Sequence, residues 1–459
     1  MSKFLGNAAM RIAANGPSRR QLILGSAALF AAGSLPAFAQ DRNAPESLKR
    51  AGGTTLQLRA WERYPAADIP GLNRYLDGKA GTSVEWVSAP FARYRDRMVA
   101  EFIAGTPLDI VQIPETELAA WSDSGWLAPL DGMQGLAQIM QAATPASVEA
   151  TKGVDGKTYA LPYLSDSFGF AYDVETLNKA GFAKPARSLD ELRTQMEAIK
   201  KAGLDEYPLS LAMKKQPGNF WSLWATLYAS GGDLFAPDNE PVFDKPGHPL
   251  QAILEWYVAA MNDWKIVGPE DLQRDWGASR TGIRTGIVKF GYMAQYALAE
   301  FNVWPDSKVA GRIRLALVPG LDANNRNAVS YAHSVGLAAA SKNKPAAWDA
   351  LRFYAGPDAS GVFSLPRERL IGEGGRSPFP ALYQDPAVQD LVRKMTGGDM
   401  DEFLKLSATA KQKQGIKAVW FPEWEDFWMT QIQEVLTKRQ DVRTAIRRTA
   451  DEARRLRKA

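Results

Sequence analysis

The 459-residue chain contains no cysteine and only two histidines, His248 and His333, far apart in sequence. Without cysteine there are no disulfide scaffolds, zinc ribbons, iron–sulfur sites, thiol nucleophiles or lipid-modified N-terminal cysteine. Two distant histidines make no His-X-His or His-Glu-X-X-His pair, so a histidine-built metal site is not expected. Charge of one sign is nearly lacking too: 55 Lys and Arg face 51 Asp and Glu, a net charge of +4. That balance does not support a nucleic-acid groove driven by net charge. Past the N-terminal region no apolar run approaches the ~18 residues of a membrane span. Gly (38) and Pro (28) are spread without a repeat, which excludes collagen-like and low-complexity readings. What remains is ordinary globular usage, 46% hydrophobic and 23% charged. The length suits two or three domains at roughly 100–200 residues each.

Residues 1–39 read as an export signal. Lys3, Arg11, Arg19 and Arg20 precede the apolar stretch Leu22 to Leu35, Pro36 breaks it, and Ala37-Phe38-Ala39 supplies a small-X-small cleavage pattern. The stretch is short and rich in Gly, Ser and Ala for a membrane anchor. Ser18-Arg19-Arg20-Gln21-Leu22-Ile23 resembles a twin-arginine motif, with Leu22 in place of the commoner Phe; the general secretory route stays open. Cleavage after Ala39 leaves basic and acidic residues equal in number, 51 each, in a chain expected to be free in the periplasm.

The rest of the chain alternates strand and helix patterns. Leu56, Leu58 and Ala60, then Val84 and Trp86, alternate with polar residues as strands do. Tyr94, Met98 and Phe102 share a helix face, with Gly105 at a C-cap. LDIVQI, residues 108–113, is a short apolar strand closed by Pro114, and 115–122 reads as a helix. This order indicates βαβ units in an α/β domain. A second block follows. It has a hairpin-like turn at Asp155-Gly156, a strand at 168–172, and helices near 173–180, 188–202, 220–230 and 248–264. Ser188 and Glu191 form a capping box. Strands follow around Gly291, in RIRLALVPG and in HSVGLAAAS, and 345–355 is a helix. Residues 425–459 read as charged helical chain with a break near Asp441.

Several segments together resemble the extracellular solute-binding proteins, family 1, that serve ATP-binding-cassette sugar importers. They are Leu108-Asp109-Ile110-Val111, Ser124 to Leu130, Asp155 to Tyr163, Phe170-Ala171-Tyr172-Asp173, Lys179 to Phe182, Ser230 to Phe235 and Ser341 to Trp348. Leu108 stands where proline commonly precedes the aspartate. The resemblance implies a periplasmic-binding-protein-like type II fold, with two discontinuous α/β lobes joined by hinge segments. The expected N-terminal lobe comprises 54–160 plus about 290–345, and the C-terminal lobe 165–289 plus about 346–424, with C-terminal helices over 425–459. Ligand binding in the cleft would shift an open–closed equilibrium. The implied partners are a small ligand, a carbohydrate or polyol, and the membrane permease subunits of the importer. The chain is expected to be a monomer that requires no cofactor or metal, performs no catalysis and binds no nucleic acid.

A sugar offers hydroxyls at its edge and C–H groups on its faces, so its site needs flat aromatics and polar side chains. Fourteen tryptophans supply the first in excess. Trp61 and Glu62 follow the first strand, at its cleft-facing end in a parallel sheet. Gln112, Glu115 and Thr116 end the next; by resemblance this loop contacts ligand, though Glu115 also suits a helix N-terminus. The resemblance places a hydrogen-bonding acid and a stacking aromatic at Asn219 and Trp221; here Asn replaces the acid. Trp224, one turn on, reads as core. Tyr292 and Gln295 lie where relatives place another contact. Gly374-Gly375-Arg376 would let backbone approach a ligand and offer a forked donor, or would form a flexible loop with a solvated Arg376. Tyr163 follows Pro162 in a candidate hinge crossing. Trp420 and Trp424 read as packing. Two other readings stay open: a non-sugar ligand (glycerophosphodiester, polyamine or peptide), or a secreted carbohydrate-active enzyme using Glu62 and Glu115 as paired carboxylates. A phosphate ligand would favour Arg93, Arg280 and Arg376 together.

Overall fold

The computed structural model describes residues 46–48, 53–61, 65–79, 81–324, 327–358 and 360–458. The export signal and its cleavage point after Ala39 lie outside the described residues, as does Glu62.

The strands are β1 (Glu46–Leu48), β2 (Thr54–Trp61), β3 (Thr82–Ala89), β4 (Ile110–Ile113) and β5 (Ala160–Asp173). They continue with β6 (Leu209–Ser210), β7 (Phe290–Ala294), β8 (Ile313–Ala316), β9 (Ala328–Leu337) and β10 (Ala410–Gln412). β2 pairs in parallel with both β3 and β4, and β1 adds antiparallel to β3. Alternation explains β2: Leu56, Leu58 and Ala60 are wholly buried beneath the covering helices. Helix Phe91–Ala104 connects β3 to β4. It buries Tyr94 and Met98 and stops at Gly105, whose φ of 65° is the left-handed cap position that glycine adopts without a Cβ clash.

β5 organises the molecule. Its first half, Ala160 to Ser167, lies antiparallel to β9, and its second half, Phe168 to Asp173, pairs with β7 and β8. β9 in turn pairs with β4 and, in parallel, with β10; β6 lies beside β7. One strand group is therefore β1-β3-β2-β4-β9 and the other is built on β7, β6 and β8, with β5 running through both. The sequence reading grouped 290–345 with the N-terminal lobe. Strand pairing sets β7 and β8 in the second group instead, while β9 alone of that stretch joins the first. It also grouped 346–424 with the C-terminal lobe, yet helix Lys344–Ala355 packs on β9 and on helix Pro65–Asp77. Short apolar strands look alike in sequence whichever sheet they join, so the boundary was not readable.

Local signals are realised as caps. Ser188 Oγ accepts the Glu191 N–H at 3.2 Å, while the Glu191 carboxylate accepts the N–H of Arg187, one residue before the expected partner. The break near Asp441 is real: helix Phe421–Leu436 ends, and Asp441 caps helix Val442–Arg457 through the Thr444 N–H at 2.9 Å. Three helices unread in the sequence, Ser364–Glu373, Pro386–Thr396 and Met400–Ala408, complete the C-terminal region.

A buried ionic knot ties four segments together. Asp68 pairs with Arg369 at 2.6 Å and accepts hydrogen bonds from the Tyr163 and Tyr354 hydroxyls at 2.9 and 2.8 Å. The Arg369 guanidinium lies over the Tyr163 ring, 4.2 Å from its centroid. Burial pushes the Asp68 carboxyl up, against the pull of Arg369.

Candidate functional site

β2, β3 and β4 run parallel, so their C-terminal ends open on one edge, where crevices form in α/β sheets. Residues at or just past those ends, Trp61, Phe91, Glu115 and Thr116, form one wall of a cavity of about 250 Å³. Gln216, Gly218, Trp221, Asp275, Trp276 and Arg280, from the loops and helices between β6 and β7, face them, and Phe168, Tyr331 and His333 from the crossing strands, with Lys413 just after β10, close it. Each wall residue is held by its element. Trp61 donates its backbone N–H to Gln112 Oε1 at 3.1 Å and packs edge-on with Tyr94 and His333. Asp275 caps helix Trp276–Arg284 by accepting the Ala278 N–H at 2.8 Å, which places Trp276 in the first turn facing the cavity. Phe168 stacks flat on Trp221, centroids 4.3 Å apart and planes 8° from parallel.

Charge on the wall is balanced. Lys413 Nζ sits 2.5 Å from Glu115 Oε1, Lys214 pairs with Asp275 at 3.1 Å, and Arg280 pairs with Glu300 at 3.2 Å. Glu115 also accepts the Ala332 N–H at 3.1 Å. Behind the wall, Glu117 pairs with Arg95 at 3.2 Å, and burial raises its carboxyl. Glu425 accepts the Gly218 N–H at 3.4 Å; burial pushes its carboxyl up to about 7, against the attraction of Lys413 and Arg95. Two buried polar atoms of wall residues, Trp61 Nε1 and Gln216 Oε1, have no hydrogen-bond partner among the described residues. Buried polar groups are seldom left so, and both atoms lie beneath the cavity surface.

Of the residues singled out in sequence, Trp61, Glu115, Thr116, Trp221 and Arg280 line this cavity. Other candidates, described next, belong to the framework. Gln112 is buried inside β4, bonded to the Trp61 backbone and to the Tyr354 hydroxyl at 2.6 Å. Tyr163 points into the Asp68 knot, stacked on Tyr354. Asn219 spends its amide on the carbonyls of Ala212 and Lys214, bracing the turn that presents Trp221. The Tyr292 hydroxyl meets Thr226 at 3.2 Å in a core where burial raises it. Gln295 is buried against Ser167 and the Phe403 carbonyl. Gly375 donates its N–H to the Arg369 carbonyl at 3.3 Å, and Arg376 lies over the Tyr383 and Phe403 rings, 4.6 and 4.7 Å from their centroids. Trp221 is placed at the cavity but not for stacking: Phe168 covers one face, and Lys413 Nζ lies 3.9 Å from the ring centroid, necessarily on the other. Trp224 is core, packed against Trp428.

Sequence reasoning passed over Phe91, Phe168, Gln216, Trp276, Tyr331, His333 and Lys413. Trp276 carried a usable signal, an Asp directly before a helical pattern. Lys413 carried none, sitting in the polar run Lys411 to Gln414.

An α/β fold with two strand groups bridged by shared strands, and a mixed aromatic and polar cavity at the crossing, defines a two-lobed binding protein. The chain belongs to the bacterial extracellular solute-binding protein family, whose profile matches residues 59–360. Solved structures show the same fold. A maltose-bound T. maritima protein superposes with a TM-score of 0.76 at 19% identity, covering 88% of this chain and 99% of its own. An Agrobacterium vitis transporter solute-binding protein with bound D-mannitol gives 0.72 at 20% identity, covering 88% and 98%. In sequence, the mannitol-binding protein of Pseudomonas aeruginosa is 25% identical over 232 residues, half of this chain and 49% of its own length. A Brucella abortus protein described as a binding protein is 23% identical over 285 residues, 60% of this chain. This chain therefore spans only 64% and 49% of the Brucella and Pseudomonas relatives.

Proposed function

We propose that the exported chain captures a small neutral sugar or polyol in this cavity and hands it, chemically unchanged, to the permease of an ATP-binding-cassette importer. The observation that carries the reading is a cavity walled by the rings of Trp61, Phe91, Trp276 and Tyr331 with polar groups among them, whose charged side chains are already paired. Such a wall hydrogen-bonds hydroxyls and offers no spare charge to an ionic guest. The volume of about 250 Å³ lies just below the ~300–1,000 Å³ of ordinary ligand sites, which favours a single sugar ring or an open-chain polyol. Relatives are consistent with this: the names above include maltose and D-mannitol, and an Agrobacterium radiobacter neighbour of the same fold is in complex with ribitol. Glu115 is engaged by Lys413 and by backbone, an arrangement suited to binding rather than to proton transfer at a glycosidic bond. Export through the 1–39 signal, with cleavage after Ala39, and action as a monomer belong to the same proposal.

The test is thermal unfolding of the mature chain against pentitols, hexitols, monosaccharides, disaccharides, polyamines and glycerophosphodiesters. A true ligand at 100 times its Kd adds about 2.7 kcal/mol, a plainly visible shift. Stabilisation by a neutral polyol or sugar, recovered unaltered, supports the reading. Stabilisation by charged compounds alone, or turnover of a glycoside, overturns it.

A further inference from the structure

Lys413 follows β10, the short strand laid in parallel on β9, and is 5% exposed. Its ammonium is held by three groups at once. Glu115 Oε1 is 2.5 Å away, the Trp221 ring centroid 3.9 Å and the Trp224 ring centroid 5.3 Å. Phe168, stacked flat on the far face of Trp221, fixes that indole so that its near face stays turned to the ammonium. A carboxylate beside an aromatic face is a cation-binding arrangement, since the ring's negative face and the anion act on the same charge. The cation held there is a side chain of the protein, on the wall of the cavity where the ligand is proposed to sit.

We propose that Lys413 is a specificity-determining residue: it occupies a built cation site on the cavity wall and so keeps organic ammonium ions out. With Lys413 in place the wall is electrically satisfied and meets hydroxyls. With Lys413 shortened, Glu115 and the exposed face of Trp221 take an external ammonium group instead. The inference rests on the reading of the cavity as the ligand site, but its test is separable from that reading.

The experiment compares the wild type, Lys413→Ala and the double variant Lys413→Ala/Glu115→Gln by isothermal titration calorimetry. The probes are n-butylammonium chloride, one methylene longer than the propylammonium fragment removed, and n-butanol, its neutral counterpart. The expected result is at least tenfold tighter n-butylammonium binding by Lys413→Ala than by wild type, no such gain for n-butanol, and loss of the gain in the double variant. Equal n-butylammonium affinity in wild type and Lys413→Ala overturns the proposal. So does an equal gain for n-butanol, which would mark a merely apolar hole, or a gain that survives Glu115→Gln. If Lys413→Ala does not fold alone, refolding promoted by n-butylammonium and not by n-butanol supports the cation site, and refolding by neither or by both overturns it. D-mannitol, ribitol and D-glucose titrated into wild type judge the functional reading separately. Binding of one of these without the ammonium gain removes this inference alone; the gain with all three unbound upholds the cation site and counts against the functional reading.

Discussion

Glu425 makes stability depend on pH in a direction opposite to that of an ordinary paired carboxylate. The side chain is 2% exposed on helix Phe421–Leu436, with the Gly218 N–H on one oxygen and no hydrogen-bond partner on the other among the described residues. Burial, helped by repulsion from Glu117, outweighs the attraction of Lys413 and Arg95 and raises the carboxyl from 4.5 to about 7. Over that window the folded chain keeps a proton that the unfolded chain has released. The folded state therefore binds more protons, and stability falls as pH rises from about 4.5 to about 7, then levels off. At roughly 1–2 kcal/mol per pH unit, the loss accumulated between pH 5 and pH 8 is about 2–3 kcal/mol. Glu425→Gln keeps the shape and removes the titration. Relative to wild type it should therefore gain about 2–3 kcal/mol on going from pH 5 to pH 8, read from urea unfolding of the mature chain at both values. Glu373, raised to about 7 by its own burial, tilts both proteins alike and cancels in the comparison. A Glu425→Gln effect that is the same at pH 5 and pH 8 refutes the reasoning, because it would mean the carboxyl titrates as it does in the unfolded chain.

Asp68→Ala strands the Arg369 guanidinium in the core without its anion and should cost about 3–5 kcal/mol in urea unfolding; a cost below about 1 kcal/mol would show that the pair is not buried as described. Gly336→Ala builds a Cβ 2.7 Å from the Tyr159 carbonyl oxygen and 2.9 Å from Ile113 Cδ1 near the C-terminal end of β9, and should lower stability by about 1–3 kcal/mol, as thermal unfolding will report. Trp276→Ala removes a half-buried aromatic wall and should weaken binding of the ligand found by thermal shift about tenfold or more, while Arg376→Ala, away from the cavity, should leave the calorimetric Kd unchanged. The reverse pattern would move the site to the Arg376 loop.

What the sequence disclosed follows from how locally each feature is encoded. Alternating β2, the Tyr94–Met98 face with its Gly105 cap, and the Ser188 and Asp441 caps are written within a few residues and were all legible. Site residues were legible where they stand at the last position of a parallel strand or just past it. Trp61, Glu115 and Thr116 do so, and they line the cavity. Gln112 stands a residue or two earlier, still inside β4, and there the ladder fixes its side chain into the Tyr354 contact. Asn219 and Trp221 show the same sensitivity in a turn: the first is consumed in holding the turn, the second is presented by it. Lys413 could not be found this way. Its place at the wall depends on β10 lying beside β9, on β9 lying beside β4 and β5, and on β5 carrying Phe168 beneath Trp221. Each of those is a pairing between distant segments, and neither periodicity nor spacing encodes which short strand pairs with which. The most sharply placed charge in the cavity is thus the one least visible in the chain. It replaces the flat stacking role expected of Trp221 with a contact between an indole and an ammonium ion.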